Sequence, residues 1–183
     1  KHCYVPLSYQ KRKELKTKEV FLILDQLADI GCFYLGFTGG EPFIREDALD
    51  IFRYAKKKGF EVIIYSNGSL IDEKISEELS RLRLNKVDIT IPAMSVRVFD
   101  KITGLSGSRE RVFKAIESLR RNNVPLGFKT CVLKENEKEI EAIQQAAAAL
   151  KTAQRQLQLA LDEAIKASRA AKRAEVGSQQ EQK

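Results

Sequence analysis

The chain has 183 residues, of which 43% are hydrophobic and 31% charged, and its formal net charge is +7. That length holds one domain, or one domain with an appendage, and the composition is that of a globular protein rather than a disordered or collagen-like one. No apolar run approaches the roughly 18–20 residues needed to span a bilayer, so no membrane partner is expected.

In chain order, Thr17 is placed to cap a helix with Val20, Ile23, Leu24 and Leu27 on one face, and Gly31 ends it. FYLGF (33–37) reads as a buried strand, and TGGEP follows it. A second helix is expected from Glu46 to Lys58, burying Leu49, Phe52 and Ala55 and ending at Gly59. EVIIY (61–65) is a β-branched strand broken by SNG (66–68). Asp72 opens a third helix with Ile75, Leu79 and Leu82 inward. VDITI (87–91) is a strand stopped by Pro92, and a short helix near 96–102 precedes TGLSGS. Ser108 is placed to cap the helix carrying Val112, Ile116 and Leu119, and LGFKTCVL (126–133) is the next strand. Asn136 with Glu139 three residues later has capping-box spacing.

Strands alternating with helices at this spacing imply parallel strands joined by crossover helices. The architecture is therefore α/β, either barrel-like or doubly wound. Both place ligands beyond the carboxyl ends of the strands. TGGEP, SNG, PAM and KEN all fall on that edge.

Gly39 and Gly40 sit at a strand-to-helix turn, where glycine frees the backbone and lets a small molecule approach it. On that stretch alone, a tight turn with nothing bound is the competing account. The basic residues, among them Lys56, Lys57, Lys58, Arg120 and Arg121, fall largely at helix C-terminal ends, where a cation suits the dipole. No aromatics interleave with them, so nucleic acid is not expected as a partner. Cys3, Cys32 and Cys131 are odd in number and far apart. That excludes a disulfide framework and points to a reducing, cytoplasmic setting. Cys32 and Cys131 occupy positions suited to a small apolar residue in a strand. His2 is the sole histidine, which leaves little material for a zinc site or a histidine-based hydrolase.

From Ile140 to Ala174 there is no Gly, Pro or aromatic residue, and Ala and Gln dominate. Ile143, Leu150, Leu157 and Ala164 recur every seven residues. The expected division is 1–143 as the α/β part, 144–176 as an Ala/Gln-rich helix and 177–183 as a disordered tail. Such a helix packs back on the domain, pairs as a coiled coil, or protrudes.

KHCYV (1–5), TGGEP (38–42), YSNG (65–68), Thr90 in VDITI, ITGLSGSRERVFKAIESL (102–119) and FKTCVLKEN (128–136) occur in an order that resembles the radical S-adenosylmethionine superfamily. The last two stretches resemble its peptide-modifying, SPASM-type subgroup. The resemblance covers roughly residues 1–143 and implies a partial (βα) barrel with parallel strands; the long C-terminal helix, read from composition, lies outside it. It implies two cofactors, S-adenosyl-L-methionine and a [4Fe-4S] cluster held by three thiolates of a C-x-x-x-C-x-x-C loop. Cys3 matches the last of those cysteines and His2 the ring position before it. Gly39, Gly40, Glu41 and Pro42 match the motif that holds the methionine ammonium. Ser66 and Asn67 line the pocket, and Thr90 bonds a ribose hydroxyl. Lys129 receives no assignment.

In such enzymes the reduced cluster cleaves the cofactor, and hydrogen abstraction from a substrate follows. A possible peptide substrate and an electron donor such as a flavodoxin or ferredoxin are implied. Cys3 by itself is one thiolate, not three. The chain therefore reads as an incomplete or chimeric core, inactive alone. Its other readings are a cofactor-binding module without the cluster and a helical interaction protein.

Overall fold

Each apolar run is followed by an amphipathic segment long enough to return the chain, and that spacing lays four strands side by side in one direction. The computed structural model describes residues 13–180, so His2 and Cys3 lie outside the described residues. Helix α1 (Thr17–Asp29) leads into β1 (Tyr34–Phe37), α2 (Ala48–Lys57), β2 (Glu61–Ser66), α3 (Glu73–Leu82) and β3 (Lys86–Thr90). Helices α4 (Val96–Thr103) and α5 (Ser108–Arg121), β4 (Leu126–Lys129) and α6 (Ile140–Gln180) complete the order. The sheet runs β1-β2-β3-β4, and all pairs are parallel. This is the α/β architecture of a partial βα barrel with a long C-terminal helix.

Spatial order follows sequence order, so right-handed crossovers place the connecting helices on one face of the sheet. Val62 and Ile64 of β2 and Val87 and Ile89 of β3 are fully buried on that face. A methyl group at Gly68 would touch both Ile89 and Val112, which places α5 against β3 there. Phe52, Leu79 and Leu119 bring α2, α3 and α5 into the same core. Truncating a buried Phe or Leu of this kind costs about 3–5 kcal/mol. The opposite face carries Ile63, Tyr65, Lys86, Thr90 and Lys129, none of them fully buried.

Several boundaries differ from the sequence expectation for local reasons. Thr17 is the first helical residue, not the cap; Lys16 takes that position, and Glu19 accepts from its backbone N–H at 2.7 Å. The Thr17 hydroxyl instead donates to Asp47 at 2.6 Å. Of the apolar stripe on α1, Leu24 is buried and Ile23 exposed. Asp72 caps α3 as expected, its carboxylate accepting from the Ile75 N–H at 2.8 Å. Gly107, rather than Ser108, caps α5; the Ser108 hydroxyl turns inward and donates to Asp100 at 3.0 Å.

FYLGF is not a buried strand. Among the described strands it is an edge strand with one neighbour, and Tyr34 is 67% exposed. Cys32 precedes that strand and is half-buried, its thiol donating to the Tyr34 carbonyl at 3.4 Å. β4 stops at Lys129, four residues short of the expected end at 133, and Cys131 is exposed beyond it.

The chain divides into two compact units after Ala147, four residues beyond the expected boundary. Helix α6 spans Ile140–Gln180, wider than the expected 144–176. Among the described residues no helix is long and apolar enough to cross a membrane.

Candidate functional site

Parallel strands bring all their carboxyl ends to one rim. Thr38 to Pro42 follow β1 there, Asn67 follows β2, Ile91 to Ser95 follow β3, and Thr130 to Asn136 follow β4. Gly39 holds φ at +131°, a conformation that L side chains rarely adopt. Among the described residues, a Cβ at Gly39 or Gly40 would meet no atom within 4 Å, so the main chain of this turn faces open space there. Pro42 begins a short 3-10 turn, Pro42–Ile44, where its fixed φ suits the first position. Phe43 packs edge-on against Phe52 with ring centroids 5.7 Å apart, which ties the turn to the core.

Glu41 is the hub of the rim. It accepts from the Ser66 hydroxyl at 2.8 Å, the Asn67 N–H at 2.7 Å and the Phe43 N–H at 3.3 Å. The Ser66 hydroxyl accepts in turn from the Gly68 N–H at 2.9 Å, and the Asn67 side chain from the Ser69 N–H at 2.8 Å. The ends of β1 and β2 are thus locked through one carboxylate. Burial raises its pKa above the ordinary glutamate value, against the pull of hydrogen bonds from Asn67, Ser66 and Phe43. Among the described residues, no cation is one of the groups that act on it.

Of the residues singled out from the sequence, Gly39, Gly40, Glu41, Pro42, Ser66 and Asn67 therefore come together. Thr90 ends β3 on the open face of the sheet, in register with Lys129, and shares no hydrogen bond with the Glu41 group.

Two residues with capping-box spacing do something else. Asn136 is fully buried; its amide donates to the carbonyls of Pro92 at 2.7 Å and Cys131 at 2.8 Å and accepts from the Leu133 N–H at 2.7 Å. Glu139 accepts from the N–H groups of Met94 at 2.7 Å and Ser95 at 2.9 Å, and from the Ser95 hydroxyl. Burial pushes the Glu139 carboxyl up, but those donors outweigh it and hold it below its ordinary value. Together they clamp the loop after β4 to the loop after β3, beside Thr90.

The described residues do not fit a three-thiolate cluster. Cys32 lies before β1, at the amino edge of the sheet, and Cys131 lies after β4, at the opposite edge. Among the described residues no group of three His, Cys, Asp or Glu side chains is placed to hold a metal ion.

A parallel βα sheet with a glycine-rich, carboxylate-bearing rim defines a class of ligand-binding α/β proteins. Within it, residues 1–147 match the model of the Radical SAM superfamily, and the chain belongs to that superfamily. It is 29% identical over 143 residues to an Fe-coproporphyrin III synthase of Methanosarcina barkeri, covering 78% of this chain and 36% of the relative. It is 34% identical over 127 residues to an AdoMet-dependent heme synthase of the same organism, covering 69% of this chain and 36% of the relative. A PqqA peptide cyclase of Granulibacter bethesdensis is 27% identical over 150 residues, with 81% of this chain and 40% of the relative covered. The chain thus spans well under half the length of these relatives. In fold it is similar to SuiB of Streptococcus suis, with a TM-score of 0.68 at 17% identity over 77% of this chain and 32% of that one. The same holds for anSMEcpe with bound AdoMet, with a TM-score of 0.57 at 18% identity over 69% of this chain and 38% of that one.

Proposed function

We propose that this chain is the S-adenosylmethionine-binding part of a radical SAM protein, and that it binds the cofactor without assembling a [4Fe-4S] cluster by itself. The observation that carries this is Glu41: a carboxylate raised in pKa by burial, fixed by three donors and with no cation acting on it among the described residues. The ammonium of the cofactor's methionine part supplies the missing charge and adds a charge-assisted hydrogen bond. Gly39 and Gly40 leave room for that group against the main chain. Ser66 and Asn67 keep the carboxylate aimed, and Thr90 reaches a ribose hydroxyl.

The iron cluster, when supplied with three thiolates, provides the electron for cofactor cleavage. Cys3 is the single candidate ligand in this chain, and the electron donor belongs to that complete assembly. A peptide substrate is supported by the subgroup resemblance, by the peptide cyclase relative and by the SuiB structure bound to precursor peptide SuiA.

Titration calorimetry of the iron-free chain with S-adenosylmethionine tests the reading. Saturable binding is expected, and Glu41→Gln should weaken it by about 10- to 100-fold, the range of a lost charged hydrogen bond. Absence of binding, or equal affinity in the variant, would overturn it. Reconstitution with iron and sulfide should yield no cluster absorbance in the visible.

A further inference from the structure

The open face of the sheet carries a charged group that the rim does not use. Tyr65, Asp88 and Gly127 are register partners across β2, β3 and β4, and so lie at one level. Lys129 pairs with Thr90, one pleat nearer the rim. Asp88 is 3% exposed, with the Lys86 ammonium 3.0 Å from one carboxylate oxygen and the Lys129 ammonium 3.8 Å from the other. A Cβ on Gly127 would stand 1.8 Å from Asp88 Oδ1, so the missing side chain at 127 is the space that the carboxylate fills.

One carboxylate therefore faces two ammoniums. Lys86 is its close partner. Lys129 is held loosely, with its ammonium 3.6 Å from the centroid of the Tyr65 ring, and its side chain remains 55% exposed. Charge balance leaves one positive charge unmatched within this group, at Lys129, the register partner of Thr90.

We propose that Lys129 binds a carboxylate of the substrate, with Asp88 and Tyr65 positioning its ammonium on the open face. The placement beside a bound cofactor rests on the function proposed above. The cofactor's own carboxylate does not fit this role. Its carbon also bears the ammonium, which Glu41 holds between β1 and β2. The Lys129 ammonium lies over the Tyr65 ring on the open face, whereas Glu41 accepts from Ser66, which the pleat turns to the helix-covered face. The cofactor's ammonium and sulfonium are repelled by a lysine. What remains for Lys129 is an anion carried by the second ligand, such as the side chain of an acidic residue.

The test is an amide-shift titration of the isotope-labelled full chain with N-acetyl-glutamate N-methylamide, and with the glutamine counterpart as the uncharged control. The glutamate probe should give saturable shifts at Thr90 and Lys129, and the glutamine probe should not. Lys129→Gln should weaken the glutamate probe by about tenfold, while Lys129→Arg keeps it. No saturation with the glutamate probe, equal binding of both probes, or an unchanged Lys129→Gln variant would overturn the proposal. A parallel titration with S-adenosylmethionine separates the two claims. Losing the cofactor titration alone strikes the proposed function, and losing the glutamate titration alone strikes the Lys129 site.

Discussion

Replacing Asn136 by alanine tests how the rim is held together. The native side chain makes three hydrogen bonds from a fully buried position, two donated to the Pro92 and Cys131 carbonyls and one accepted from the Leu133 N–H. Each is worth about 0.5–1.5 kcal/mol net, and its loss leaves a backbone group short of a partner. The sum is about 3 kcal/mol. For a unit of this size that lowers the melting midpoint by about 6–12 °C. Asn136→Asp has nearly the same volume, but it turns a carboxylate oxygen toward two carbonyl oxygens, so it should cost more than the alanine variant. Urea unfolding followed by circular dichroism reads both, with the midpoint moving and the slope unchanged. A loss under about 1 kcal/mol for alanine, or an aspartate variant more stable than the alanine one, would refute the reasoning.

Gly39→Ala should cost about 1–3 kcal/mol, because its φ of +131° is strained for any L residue while a Cβ there meets no atom within 4 Å. Gly40→Ala, with the same open space and no positive φ, should stay within about 0.5 kcal/mol, so thermal unfolding of the pair isolates backbone strain. Gly127→Ala forces the Asp88 carboxylate away from Lys86 and should cost about 1–3 kcal/mol. Asp88→Ala in the same chain should remove much of that penalty, and simple additivity in the double variant would contradict the clash. Because burial raises the Glu41 pKa, its contribution to stability is largest below the unfolded glutamate pKa and declines as pH rises through the folded one. A cationic ligand reverses the balance, so cofactor binding should release a proton in that window and weaken on acidification through it. Calorimetry in buffers of different ionisation heat would show this, and Glu41→Gln should abolish the proton release.

Much of the architecture is legible along the chain because its signals are local. EVIIY and VDITI are β-branched runs bounded by turn residues, and Asp72 announces the start of α3 by the same hydrogen bond that caps it. The Glu41 turn is legible for a related reason: glycines that free the backbone directly after a strand, followed by a proline that fixes it, mark a strand-to-helix turn. What stays hidden depends on partners distant in sequence. FYLGF looks like an interior strand, yet its exposure follows from its place at the end of the sheet order. The early end of β4 depends on Asn136 drawing the Cys131 and Leu133 backbone out of line, and the Asn136–Glu139 spacing mimics a helix cap. An aspartate inside VDITI is a visible oddity, but its explanation is Gly127, 39 residues later and one strand away.

The most direct test of the central claim is a crystal structure of the chain soaked with S-adenosylmethionine. The account predicts the cofactor's ammonium nitrogen in hydrogen-bond contact with a Glu41 carboxylate oxygen, above the Gly39–Gly40 main chain, with the ribose toward Thr90. A cofactor bound away from this rim, or one whose ammonium avoids Glu41, would contradict it.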